Sequence, residues 1–437
     1  MNDNIPIITI LGAGLSGLSV AYHYKGKSVI YEKSDSVGGV ASTKEDDGFL
    51  FDYGPHALFT KDPYVIELLT RRTSVLEKIA KPMNTFKGRE FPHPALFNLY
   101  KLTRQERYKI LKDYIESYKN FNSAGKPKNY AEWLVKTQGK YFAESYTAVY
   151  TRKFWQTDPK NLTIEWVGKR IPAPSIDDAL KGAFGLNESR GYYFDKFKYP
   201  KRGGFGSFSN FWQDRAKDIT INLGKEVILI DVENKILRFR GGASAFYDVL
   251  VSTLPLPELP KILPTMPNEI KSMISRLKYT SLHYVNLEMK EKWKKGFTWL
   301  YFYDADVPIS RLIPYNNMSP NMAPSGCSSV QIEIPYSGKF SKDLVDISLS
   351  KLSELNYIRG SDILKISESD LKYGYVIYNK EREKYLRQIL EYLKNLGIYS
   401  LGRYGSWGYL WSYQVITQGK EFAKKIVKDF IFDKKRE

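Results

Sequence analysis

The apolar positions of the chain change period along its length, and each change marks a different kind of element. Ile7 to Leu11 is a short apolar run, rich in β-branched residues and suited to a central parallel strand. It passes through "GAGLSG" straight into "LSVAYHY", which predicts a helix, and "SVIYE" predicts a second strand ending at Glu32. From about 95 to 155 the period turns helical. In "RQERYKILKDYIESYKNF" the residues Leu111, Tyr114, Ile115 and Tyr118 fall on one predicted face. A further helix is expected to start at Asn129, with Glu132 three residues on, and to stop near Gly139.

After "PKRGGFGSF" short strands return. "EVILIDVENKILRFRGG" predicts a hairpin, and "YDVLVSTLPLPELP" a strand running into a proline-punctuated loop. "LHYVNLEM", "WLYFYDA" and "SSVQIEI", between 280 and 380, predict a mostly antiparallel sheet. A helix near 381–396 ending at Gly397, the strand "IYSLGRYG" and a helix from about Tyr413 to Phe430 close the chain. This order predicts an α/β protein: one discontinuous, Rossmann-like nucleotide-binding domain with two inserts. Residues 1–80, 196–275 and 393–437 are assigned to that domain. Residues 81–195 form a helical insert, and 276–392 a mostly antiparallel β-sheet substrate domain.

The first strand–helix junction carries chemistry. Gly12, Gly14 and Gly17 stand in GxGxxG spacing. The first makes the tight turn, the second lets a pyrophosphate approach the backbone, and the third allows close helix–strand packing. The helix N-terminus offers free N–H groups to phosphates. Glu32 lies twenty residues after Gly12, where an acid accepts hydrogen bonds from a ribose. No second GxGxxG exists, so one dinucleotide has a dedicated fold.

Composition narrows the remaining classes. No apolar run approaches the roughly 20 residues that span a bilayer, and "MNDNIP" lacks the character of a signal peptide, so a cytoplasmic location is expected. Cys327 is the single cysteine, which excludes an internal disulfide. His23, His56, His93 and His283 are scattered without metal-ligand spacing, and no metal is expected. The net charge of +18 fits nucleic acid, an anionic membrane face or an anionic small substrate. The most basic–aromatic stretch, "GYYFDKFKYPKR", reads better as a half-exposed strand than as a base-stacking surface, and no nucleic-acid partner is expected.

"GAGLSGLS", Glu32, "VGGVAST", "FDYGPHALFTKD" and the terminal "LGRYG…Q" together resemble the flavoenzyme superfamily of amine oxidases, protoporphyrinogen oxidases and UDP-galactopyranose mutases. The resemblance implies FAD in the glycine-rich cradle. It implies cofactor contacts from Gly12, Ala13, Gly14, Leu15, Ser16, Gly17, Glu32, Lys33, Gly38, Gly39, Val227, Gly402, Arg403 and Gln414.

Several segments look most like the mutase branch. "YTRKFWQTDPKNLTIEWVGKRIP" resembles a mutase segment that places Trp155 against a nucleotide base and Arg170 on a diphosphate. "FYDADVPISRLI" gives Arg311, "YGYVIYNKE" more loosely gives Tyr375, and "GRYGSWGYLWSYQ" gives Arg403 and Tyr409. Trp155, Arg170, Arg311, Tyr375, Arg403 and Tyr409 are thus the implied substrate set, and Arg170, Arg311 and His56 the implied catalytic set. Arginine forks and tyrosine hydroxyls suit a diphosphate. The chain departs from the mutase pattern at Phe59, Trp407 and Trp411, positions expected near the flavin or the sugar.

The resemblance implies redox-neutral pyranose–furanose interconversion of a UDP-sugar or related sugar, as in polysaccharide biosynthesis. Reduced flavin attacks the anomeric carbon through N5, and an external reductant maintains the flavin. The alternative is an FAD-dependent oxidoreductase taking hydride from an amine, porphyrinogen or lipid-like substrate. The sugar, the reductant and the oligomeric state, a homodimer included, stay open.

Overall fold

A computed structural model describes residues 5–119, 125–168, 170–171, 175–186 and 196–433. Five parallel strands form the nucleotide-binding sheet, in the order Ile398–Ser400, Val249–Ser252, Ile8–Leu11, Ser28–Tyr31, Ile219–Asn222. The fully buried first strand takes a central place because both its faces are covered. On one side the helices Leu15–His23 and Ser412–Asp433 lie against each other. Small residues allow that approach: Ser19 Oγ donates to Ile416 O at 2.7 Å, and Gly419 faces Ser19 without room for a Cβ.

A seven-stranded sheet forms the second unit. Its order is Ile363–Val376, Tyr279–Met289, Ser328–Tyr336, Arg311–Pro314, Trp299–Phe302, Pro82–Phe86, Arg89–Pro92. Every pairing is antiparallel except that of Trp299–Phe302 with Pro82–Phe86. This corrects one expected boundary. Residues 82–92 were assigned to the helical insert, but they complete the sheet. Their partner strand lies more than 200 residues away, so no local period could place them there.

The helical insert proper comprises Arg104–Lys119, Tyr130–Gln138, Lys140–Phe142, Ala148–Trp155 and Ile176–Phe184. Asn129 accepts the Glu132 N–H at 3.0 Å, and Gly139 ends that helix at φ +77°. The first of these helices turns inward a face rotated from the one expected, which keeps Tyr114 and, in part, Leu111 on the packed side. It buries Ile110 and Tyr114, while Tyr118 remains 45% exposed. The helix near the C-terminus spans Lys380–Asn395 and the last one Ser412–Asp433, close to the expected limits. Of "GYYFDKFKYPKR", Lys196–Pro200 is a strand paired with Val75–Ile79, and residues 191–195 lie outside the described set.

Candidate active site

The parallel sheet, the seven-stranded sheet and the helical insert enclose a cavity of about 1330 Å³. That exceeds the ~300–1,000 Å³ of an ordinary small-molecule pocket, so a dinucleotide and a second ligand can share it. Gly12, Gly14, Leu15, Ser16, Glu32, Lys33, Gly38, Gly39, Val227, Gly402 and Arg403 line it. Ala13, Gly17 and Gln414 do not line it. Ala13 N–H is spent on Glu32 Oε2 at 2.8 Å, and Gln414 Oε1 accepts the Trp411 N–H at 2.9 Å. Gly17 packs the first helix onto its strand: a Cβ there would collide with Gly12 O.

The cradle fits a dinucleotide cofactor. Gly14 and Gly39 approach so closely that a Cβ on Gly39 would lie 3.2 Å from the Gly14 Cα, leaving bare backbone facing the cavity. Ser16 Oγ, which lines it, and Ser209 Oγ, against Gly38, are buried with no hydrogen-bond partner. Buried hydroxyls without a partner beside a glycine-rich turn suit hydrogen bonds to an anionic ligand.

Beyond the cradle the wall is aromatic and cationic. Tyr409 is its hub. The guanidinium carbons of Arg170 and Arg403 lie 4.8 and 4.6 Å from its ring centroid. Trp155 meets the same ring edge-on at 5.3 Å and Tyr375 at 6.1 Å. Backbone carbonyls fix both arginines. Arg170 donates to Trp166 O at 3.0 Å and to Tyr409 O, and Arg403 to Leu410 O at 2.9 Å and Gly374 O at 3.2 Å. Neither has a carboxylate partner among the described residues, so both charges stay uncompensated.

Arg311 is different, and the residue responsible is one that motif reading missed. Glu333, fully buried on the neighbouring strand, grips the guanidinium bidentately: Arg311 Nε donates to Oε1 at 2.9 Å and Nη2 to Oε2. Ser310 Oγ donates to the same carboxylate at 2.6 Å, and Tyr375 OH lies 2.6 Å from Arg311 Nη2. Burial alone would lower the Arg311 pKa, but Glu333 and Tyr375 reverse this and hold it well above the ordinary value. The only cue was cross-strand register. Arg311 and Glu333 are directly paired partners, visible once the sheet is known.

His56 lines the cavity, its ring 5.1 Å from Phe205. Burial, then the charges of Arg403 and Arg311, push its pKa down to about 4, so it is neutral at pH 7. It can bond a ligand but is not a cation there. Asp52, just before this loop, accepts from Thr43 Oγ1 at 2.6 Å, Phe205 N at 3.0 Å and Tyr199 OH at 2.5 Å, anchoring the segment. Lys153, also missed, ties the helix Ala148–Trp155 to the sheet through Phe302 O at 2.8 Å and Asp304 O at 2.6 Å. Phe59 and Trp411 line the cavity. Trp407 does not; it is buried with Tyr279 and Tyr373, which corrects its expected place near the flavin or sugar.

The sequence pattern of the family described as flavin containing amine oxidoreductase matches residues 15–334. The chain belongs to this family. Its cofactor is FAD, and the protein is a flavin-dependent enzyme. Among solved structures, a reduced UDP-galactopyranose mutase superposes with TM-score 0.89 at 24% identity, over 97% of this chain and 94% of that one. Cyclohexylamine oxidase from Brevibacterium oxydans gives 0.65 at 16%, over 97% and 99%. A fatty acid isomerase from P. acnes gives 0.65 at 13%, over 97% and 99%. These likenesses establish the shared fold. A 4,4'-diapophytoene desaturase from Staphylococcus haemolyticus is 40% identical over 60 residues. That is 13% of this chain and only 12% of the desaturase's own length.

Proposed function

We propose that this flavoenzyme is a redox-neutral isomerase of a nucleotide-diphosphate sugar, interconverting pyranose and furanose forms of a UDP-sugar or a related one. Charge matching carries the reading. Of four arginines on the cavity wall, Glu226 neutralises Arg240 and Glu333 neutralises Arg311, and His56 is uncharged. Arg170 and Arg403 remain, two positive charges for the roughly two negative charges of a diphosphate.

FAD, when bound and reduced, supplies a nucleophilic nitrogen for the anomeric carbon. The protein's part is orientation and charge. Arg170 and Arg403 hold the departing diphosphate for its return, each with N–H donors left over from its backbone contacts. The Arg311–Glu333–Tyr375 group presents a fixed guanidinium edge and a phenol, and the rings of Phe154, Trp155 and Tyr409 exclude water. Ring closure moves from one sugar hydroxyl to another, so atoms and electrons balance and no reductant is consumed per turnover. Gly402, Arg403 and the cradle residues would hold FAD, and Trp155 would face the nucleotide base.

The test is product analysis of dithionite-reduced protein with a panel of nucleotide sugars. A furanose product without net reductant consumption is expected. Flavin reduction by an amine or other organic donor, together with no affinity for UDP, would establish instead the oxidoreductase reading, which the family description and the aromatic wall favour.

A further inference from the structure

We infer that the outer face of the helical insert binds an anionic lipid surface. The helix Arg104–Lys119 buries Ile110 and Tyr114. Beside this buried face runs a second apolar seam, Tyr108, Leu111, Ile115 and Tyr118, spaced so that they form one stripe, with Leu111 also packing partly against the core. Tyr108 is 66% and Tyr118 45% exposed, and Leu111 and Ile115 are half-buried. A second apolar step adjoins the stripe. Phe184 and Leu186 are 72% and 67% exposed. Arg107 Nη1 donates to Ala183 O at 2.7 Å, which sets that step beside the helix, and Gly185 packs against the half-exposed ring of Tyr100. An apolar surface of this kind marks an interaction site.

Charge selects the occupant. Arg104 falls within the stripe on the helical wheel, Lys112 and Lys119 along its border, and Glu106 and Asp113 on the opposite side. Lys101 adds a cation over the Tyr100 ring. Arg104, Lys112, Lys119 and Lys101 are exposed, and the ion pairs of this region, Lys181–Asp177 and Arg152–Asp158, involve none of them. Tyrosines beside cations that form no ion pair among the described residues suit the headgroup layer: the rings enter the interface and the cations meet phosphates. No helix among the described residues is long and apolar enough to cross a membrane, so the association is peripheral. The patch residues lie outside the cavity wall, so docking leaves the site open to its ligands.

The full chain carrying its FAD is sedimented with vesicles of phosphatidylcholine alone or with about one third phosphatidylserine. Binding to the anionic vesicles only is expected, weakening roughly tenfold as salt rises from about 0.1 to 0.5 M. The variant Y108S/F184S/L186S, and separately the surface-charge variant K112E/K119E, should each lower binding by roughly tenfold or more with unchanged flavin absorbance. The charge variant keeps the test decisive if the serine variant folds poorly. Wild-type protein left in the supernatant with both vesicle types overturns the proposal, as does wild-type binding by K112E/K119E. A solution dimer that K112E/K119E or Y108S/F184S/L186S dissociates, without vesicle binding, assigns the face to a second copy and overturns it too.

Discussion

The glycine cradle and the arginine wall meet in one cavity but are built in opposite ways. Most of the cradle comes from a single stretch, residues 8–39, in which strand, turn and helix follow one another. Its contacts are backbone approaches such as Gly14 to Gly39, and its geometry is set by small residues. The wall gathers Arg170, Arg311, Tyr375, Arg403 and Tyr409 from segments scattered over more than half the chain. Its geometry is set by side chains clamped to carbonyls and to Glu333. A locally encoded site tolerates little change in shape, whereas a tertiary one tolerates little change in charge.

The sharpest break of that contrast is Gly17→Val. The added atoms meet Gly12 O and must separate helix from strand, so a loss of more than about 4 kcal/mol, or no soluble flavoprotein, is expected by urea unfolding and flavin absorbance. On the wall, Glu333→Ala leaves the buried Arg311 charge unpaired and should cost about 3–5 kcal/mol in the same measurement. Removal of one buried charge would then rival a steric clash. Arg403→Ala should leave the fold intact but weaken UDP binding to reduced protein by about 1.5–3 kcal/mol in calorimetry. Unchanged affinity would remove the diphosphate from the wall.

The smallest effect concerns pH and the loop joining the two regions. Burial raises the Asp52 pKa to about 6, against hydrogen bonds from Thr43, Tyr199 and Phe205 that lower it. A carboxyl with a raised folded-state pKa stabilises the fold fully below about pH 4, and that contribution is lost as pH rises through 6. Asp52→Asn should therefore flatten the stability profile between pH 4 and 6 by up to about 1.4 kcal/mol per pH unit, read by denaturant midpoints. An unchanged slope would mean that Asp52 ionises freely.

Legibility in the sequence followed the same division. The parallel strands around the first helix, the hairpin at 227–239 and the last two helices are close to what their periods indicate, because each is decided by neighbours in the chain. The strands at 82–92 were hidden, since their only justification is a partner more than 200 residues distant. The inward face of Arg104–Lys119 was misplaced by a few residues for a related reason. The helix carries two apolar seams, and only its neighbours decide which is covered. In the site, Arg170, Arg311 and Arg403 could be named from motifs, but which of them keeps its charge could not.

From its amino acids alone this chain committed itself to a glycine-rich dinucleotide cradle on a discontinuous α/β domain, because turn geometry and hydrophobic period act over a few residues. Tertiary structure decided the electrostatics. Glu333 became the partner of Arg311 through sheet register, Gln414 was engaged by Trp411 and Arg170 behind the cavity wall, and Trp407 was withdrawn into the core. Charge compensation and exposure depend on which distant surfaces meet, and no local pattern of residues records that.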